Sequence, residues 1–219
     1  MKIAIVGSGI SGNSLAHLLS RNHNITLFEK NNRLGGHSHT HEIIIEGKKL
    51  KVDTGFIVFN KETYPLFTNL LDSLNVKYEK SNMSFSYTNE LHNHEYGGAS
   101  LNALFSDRKQ ILKPNFYKFL IDITSFNRRC KKTILEGTNR GLHTLRSFVE
   151  QGKYGSHFYT NYLRPMASAI WSTPTAQIDD MPIEFFLDFF ENHGLFNLTN
   201  RPQWKFVSGG SYNYIDTLI

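Results

Sequence analysis

Three features of the 219-residue sequence predict an α/β fold carrying an inserted, largely helical region. A short apolar run rich in β-branched residues opens the chain and breaks into a glycine turn. Helical periodicity follows at once, and a second apolar run closes on an acidic residue at Glu29. Past residue 60 the pattern turns to hairpins and then mostly to helices.

The elements follow in order. Lys2–Val6 reads as a buried strand, bounded by glycine. Ser11–Arg21 places Leu15, Leu18 and Leu19 at helical spacing, Asn22-His23-Asn24 turns the chain, and Ile25–Glu29 reads as a second buried strand. Strand, helix, strand in so short a span is a βαβ unit, with parallel strands and a right-handed crossover. Ile43–Ile45 and Leu50–Val52 flank Glu46-Gly47 as a hairpin. Tyr64–Leu74 carries a wide apolar helical stripe. Met83–Thr88 and Leu91–Tyr96 alternate around Asn89-Glu90 as a further hairpin. A long helix from Phe116 to Ile134 gathers Phe116, Phe119, Leu120, Ile123, Phe126 and Cys130 on one side. Helices are also expected over Gly141–Gly152, from Pro182 to Phe190 and over Tyr212–Ile219, with an apolar stretch holding Trp171 between Pro165 and Pro174. The expected organisation is a nucleotide-binding layer from residues 1–60 and 201–219 and a substrate or cap region from 61–200, with no Pro/Gly/Ser-rich linker between them.

Composition restricts the function classes. Apolar residues make up 40% and charged residues 20%, as in soluble globular proteins. The net charge of +5 favours anionic ligands or an anionic membrane surface. Its basic residues are scattered and no recognition motif accompanies them, so nucleic-acid binding is not expected. The single cysteine, Cys130, excludes a disulfide framework and suggests a reducing compartment, hence the cytoplasm. No activating motif surrounds it, so a helix-packing thiol is expected. No signal peptide and no apolar stretch of about 20 residues, as a transmembrane helix needs, is visible.

Gly7-Ser8-Gly9-Ile10-Ser11-Gly12 matches G-x-G-x-x-G. The first glycine permits the turn, the second admits a pyrophosphate, and the third lets helix and strand pack closely. The helix N-terminus presents free N–H groups and a partial positive charge to the phosphates. Alone the motif is weak evidence, but here it follows a strand and opens a helix. Glu29 also sits near the expected spacing of about 20 residues, where a carboxylate accepts hydrogen bonds from a ribose diol. A dinucleotide is therefore expected, and the motif leaves NAD and FAD both open.

Residues 29–40, Glu-Lys-Asn-Asn-Arg-Leu-Gly-Gly-His-Ser-His-Thr, resemble the E-x-x-x-R-x-G-G-(R/H)-x-x-T pattern of flavin amine oxidases, phytoene desaturases and their relatives. The resemblance implies a Rossmann-like FAD-binding domain of the GR2 type. It places Gly35 and Gly36 against the FAD pyrophosphate and Arg33 near ribose and phosphates. His37 stands where most relatives have arginine, replacing a guanidinium by an imidazole. Val52-Asp53-Thr54-Gly55-Phe56 is similar to the segment that runs beside the isoalloxazine. Val52–Asn60, Pro165–Ser172, Asn192–Leu195 and Ser208–Tyr214 resemble bacterial amine-oxidase-like FAD/NAD(P)-binding proteins, a group associated with cyclopropane-fatty-acid synthases. The implied cofactor contacts are Gly7, Ser8, Gly9, Ile10, Ser11, Gly12, Glu29, Lys30, Arg33, Gly35, Gly36, His37, Asp53, Gly55 and Phe56.

The implied activity is FAD-dependent oxidation, taking a hydride equivalent from a small-molecule substrate, lipid or amine. The alternatives are an NAD-dependent dehydrogenase or a non-catalytic half that needs a complementary C-terminal chain. Relatives continue past Gly209-Gly210 through a further strand and a C-terminal G-D motif. The expectation from sequence is thus an N-terminal portion that alone holds FAD weakly or not at all. No residue announces itself as catalytic.

Several features admit a plainer reading. His37, His39 and His41 alternate and could face a metal, yet no Cys or carboxylate complements them, and none is expected. His92 and His94 read as hairpin surface. Trp171 lines a pocket or fills a core. Asn192-His193-Gly194 reads as a helix end with Gly at the left-handed position. Phe185-Phe186-Leu187-Asp188-Phe189-Phe190 is buried or lines a tunnel. Arg128, Arg129, Lys131 and Lys132, beside Tyr117, Phe119 and Phe126, read first as a solvated face and second as a peripheral membrane contact.

Overall fold

The computed structural model describes residues 1–90, 94–137, 143–197 and 201–219. The chain forms two compact units, Met1–Asn82 with Gln203–Ile219, and Met83–Pro202. The first unit opens on β1 (Lys2–Val6), α1 (Ile10–Ser20) and β2 (Asn24–Phe28). β1 and β2 pair in parallel, Lys2 opposite Asn24 and Val6 opposite Phe28, which is the predicted βαβ unit. The strands are less buried than their apolar character predicts: Val6 is 87% and Phe28 54% exposed. Among the described residues this sheet has two strands, so apolar residues that a wider parallel sheet would cover stay in contact with solvent.

β3 (Thr40–Ile45) and β4 (Lys48–Asp53) form the predicted hairpin around Glu46-Gly47. Next come α2 (Pro65–Ser73), which has Pro65 in its first turn, and β5 (Tyr78–Lys80). The sequence reading assigns residues 61–82 to the inserted region, whereas these elements pack with the first unit. β5 pairs antiparallel with β8 (Lys205–Val207), and Leu71 of α2 is buried with Phe59, Val207, Tyr214 and Ile215. α10 (Tyr212–Leu218) contributes the last two of these.

In the second unit, β6 (Ser86–Asn89) and β7 (His94–Gly97) pair as a hairpin, and α3 (Leu101–Leu104) and a 3-10 turn, Arg108–Leu112, follow. α4 (Pro114–Glu136) buries Phe116, Phe119, Phe126 and Cys130 along the stripe read from sequence. α5 (Leu145–Gln151) lies within the helix expected from Gly141, a residue outside those described, as is His92. α6 (Ser156–Phe158), a π-helical turn at Tyr159–Leu163 and α7 (Arg164–Trp171) run consecutively, so the stretch containing Trp171 is helical. α8 (Thr175–Ile178) and α9 (Ile183–Asn192) close the unit.

Its core is aromatic. Phe126 packs on Phe158 at 5.1 Å and Tyr154 at 5.6 Å, and Phe186 stacks on Phe190 at 3.9 Å. Trp171 lies 4.9 Å from Phe189 and 5.5 Å from Phe185, so its indole belongs to this aromatic packing. Phe186, Leu187 and Phe190 are buried while Phe185 is 52% exposed, so the Phe-rich run is buried on one face only. α9 ends at a left-handed Gly194, and Leu195 N–H donates to the Phe190 carbonyl, closing the helix as the cap reading expects. Cys130 is fully buried in α4, and burial pushes its thiol far above the usual range.

Candidate dinucleotide site

The glycine turn joins β1 to α1 and is fixed from behind. Gly7 N–H donates to the Phe28 carbonyl at 2.7 Å, tying the turn to β2. Ser8, fully buried, joins four segments. Its carbonyl accepts from Asn13 Nδ2 of α1 at 2.7 Å and from the N–H of Gly35 at 2.8 Å. Its own N–H donates to Glu29 at 2.9 Å, and its hydroxyl donates to the same carboxylate. The Gly35-Gly36 segment is thus docked on the first turn. Both glycines have positive φ, and a Cβ on Gly36 would lie 3.0 Å from the Gly9 Cα, so only glycine permits this approach.

The two neighbouring glycines of the turn differ in their surroundings. A Cβ on Gly12 would lie 1.9 Å from the Gly7 carbonyl oxygen, which makes Gly12 a packing residue. A Cβ on Gly9 meets nothing within 4 Å, and Gly9 has an ordinary φ of −67°. Gly9 also caps α1 without any side-chain hydrogen bond. The first-turn N–H groups of α1 therefore carry the unneutralised positive end of the helix towards open space.

That space is a cavity of about 590 Å³. One side is the turn itself: Gly7, Gly9, Ile10, Ser11 and Gly12. Another is Gly35, Gly36 and His37, and Phe56 joins them. The sequence reading missed the rest of the lining: Val6, Ser38, and the rings of Tyr64, Phe67 and Tyr214. Phe67 contacts Phe56 at 5.3 Å and Tyr214 at 5.3 Å, both edge to face, which fixes an aromatic wall beside the phosphate cradle. Buried Ser38 and Tyr214 hydroxyls bond to each other. Val6 and Ser38 adjoin the two glycine segments, whereas Tyr64 and Phe67 come from α2 and its N-cap and Tyr214 from α10, and their spacing in sequence does not show that they meet.

Six of the residues expected to touch a cofactor do not line the cavity: Ser8, Glu29, Lys30, Arg33, Asp53 and Gly55. Ser8 holds the turn from behind, as described. Glu29 has both oxygens engaged, by Ser8 and by the N–H and Nδ2 of Asn31 at 2.8 and 3.1 Å. Those bonds, the Asn31 N–H foremost, hold its pKa down at about 2. Lys30 is exposed. Arg33 has a buried Nη1 with no hydrogen-bond partner and stands off the cavity. Asp53 caps α10, accepting from the Ser211 N–H at 2.9 Å, the Ser211 hydroxyl at 2.9 Å and Thr40 Oγ1 at 2.5 Å. Gly55 is a packing residue, since a Cβ there would lie 1.9 Å from the His37 carbonyl oxygen.

The rings of His39 and His41 lie 3.9 Å apart, and partial desolvation, Arg33 and His41 together push the His39 pKa down. Among the described residues no group of three His, Cys, Asp or Glu side chains could hold a metal, and no helix is long and apolar enough to cross a membrane.

Residues 5–74 match the family described as an NAD(P)-binding Rossmann-like domain. The first unit has a Rossmann-like fold. Solved structures give the same fold over the whole chain. An oxidoreductase from Methanosarcina mazei superimposes with a TM-score of 0.58 at 17% identity, over 100% of this chain and 48% of its own. Wild-type putrescine oxidase bound to putrescine gives 0.58 at 16% identity, over 100% and 49%. A CLA-producing fatty acid isomerase from P. acnes gives 0.50 at 14%, over 98% and 48%. The chain thus spans about half the length of these structures. No curated protein matches it.

The Rossmann-like domain fits a pyrophosphate on its own terms. A Cβ-free approach at Gly9 and an uncapped helix N-terminus, both on the cavity, are the features a diphosphate requires.

Proposed function

We propose that this chain forms the nucleotide-holding portion of an FAD-dependent oxidoreductase of the amine-oxidase-like kind. Its substrate would be a small molecule, an amine or a lipid. The observation that carries the reading is the docking of Gly35-Gly36 onto the Gly7–Gly12 turn, with an aromatic wall on the same cavity. A diphosphate would lie over Gly9 and the start of α1, where backbone N–H groups meet it without a side chain between. Gly35, Gly36 and His37 would close its other side. Phe56, Tyr64, Phe67 and Tyr214 offer apolar faces to a flat ring and keep water from it. A flavin, when bound, accepts a hydride equivalent. The family match to an NAD(P)-binding domain supports NAD as the second reading.

Titration of the 219-residue chain with FAD, NAD and NADP, followed by flavin fluorescence and calorimetry, separates the two. FAD is expected to bind more tightly than NAD, and NADP most weakly, because the Glu29 carboxylate repels a 2′-phosphate. Gly9→Ala should leave the melting temperature nearly unchanged, since its Cβ meets nothing, and lower FAD affinity at least about tenfold by filling the approach. Preference for NAD over FAD would overturn the flavin reading. Unchanged binding in Gly9→Ala would remove the phosphate from this turn.

A further inference from the structure

Three of the four cations singled out on α4 are engaged within their own unit, and the fourth, Arg128, is exposed. Arg129 lies 4.0 Å over the Phe148 ring and donates to the Phe148 carbonyl at 2.7 Å. Lys131 donates to Asn197 Oδ1 at 2.6 Å, and Lys132 pairs with Glu136. Phe119 and Phe126 are buried. A different patch, at the turn leading into α4, has the opposite character. Leu112 is 85% exposed, Ile111 43%, Tyr117 44% and Ile121 64%. Arg108, Lys109 and Lys113 are exposed among them, and no acidic residue occurs from 108 to 121.

The exposure does not come from loose packing. Asp107 caps the 3-10 turn, accepting from the Lys109 N–H at 3.0 Å and from Gln110 Nε2 at 3.2 Å. Gln110 is buried, and Phe116 is buried against Phe105 at 5.4 Å. The Tyr117 hydroxyl donates to the Ile111 carbonyl at 2.9 Å and clamps the turn to the helix. A well-held scaffold thus displays two adjacent long aliphatic side chains with cations on both sides.

We infer that the surface around Ile111 and Leu112 docks on an anionic lipid bilayer. The order cation, aliphatic pair, cation suits a headgroup boundary. Aliphatic tips enter the acyl edge, while Lys109 and Lys113 stay at the phosphate level on their flexible stems. Asp107, next to Arg108, is engaged by the Lys109 N–H and Gln110 Nε2, and the charged residues of the run 108–121 between it and Asp122 are cations only. The surface lies in the second unit and is independent of the nucleotide reading.

The test is flotation of the 219-residue chain with vesicles of phosphatidylcholine alone and of equal parts phosphatidylcholine and phosphatidylglycerol. Binding is expected to the anionic vesicles only and to fall with salt. Lys109→Gln with Lys113→Gln should lower partitioning roughly 30-fold. Leu112→Ser should lower it roughly tenfold. Arg128→Gln with Lys132→Gln should have little effect. All the altered side chains are exposed, so melting temperatures should match the parent. No binding to anionic vesicles, or equal binding to neutral ones, overturns the inference. So does a Leu112→Ser variant that binds as the parent does, which would make the patch a general polyanion contact.

Discussion

At the scale of single residues, the site turns on Ser8. It occupies an unspecified position of the glycine motif, yet its carbonyl, N–H and hydroxyl connect α1, the Gly35 segment and Glu29. Glu29 was legible because its spacing from Gly7 follows from the length of a βαβ unit. That Ser8 would hold it was not legible, since the pattern accepts any residue at that position. A depressed carboxylate pKa means that the ionised form adds stability above the ordinary value of 4.5, and that this is lost as pH falls through about 2. Ser8→Ala removes the hydroxyl donor and should raise the Glu29 pKa towards 4.5, so that acid unfolding begins at a higher pH. Carboxyl-carbon NMR titration of Glu29 reads this directly. A titration midpoint shared by parent and variant would remove Ser8 from the account.

At the scale of elements, local patterns were readable and the long-range closures were not. The hairpin of β3 and β4 shows in Glu46-Gly47 between apolar runs, because turn chemistry is local. Asp53 at the end of that hairpin belongs to the segment that the resemblance places beside an isoalloxazine. Its carboxylate caps α10 through Ser211, 158 residues away, and that helix has no cap from its own Ser211 side chain. Nothing in the sequence near 53 or near 211 shows that these segments meet. Asp53→Ala leaves the Ser211 N–H and hydroxyl without their acceptor and should cost about 1–3 kcal/mol. The loss should appear first as faster hydrogen exchange over Tyr212–Leu218. Because Tyr214 belongs to the aromatic wall, FAD affinity should fall with it. Unaltered exchange in α10 would show that Asp53 does not hold the helix.

At the scale of the molecule, the chain forms two compact units, and the boundary between them does not show in the sequence pattern. Residues 61–82 look like the start of a helical region, and only the pairing of β5 with β8 and the burial of Leu71 assign them to the first unit. Each unit has its own core, one around Phe59, Leu71 and Tyr214 and the other around Phe126, Phe158 and Phe186. Two such cores suggest two cooperative blocks. Phe126 is 1% exposed and packs on Phe148, Tyr154, Phe158 and Phe186. Phe126→Ala should cost about 3–5 kcal/mol, through lost burial and the cavity left behind. If the blocks are separate, hydrogen exchange should speed up in α4, α5 and α9 while α1 and α10 keep the parent's protection, and FAD affinity should stay within a factor of about two. Equal loss of protection in α1 and α10 would mean that the chain unfolds as one unit, and that the second core supports the nucleotide turn as much as Ser8 and Asp53 do.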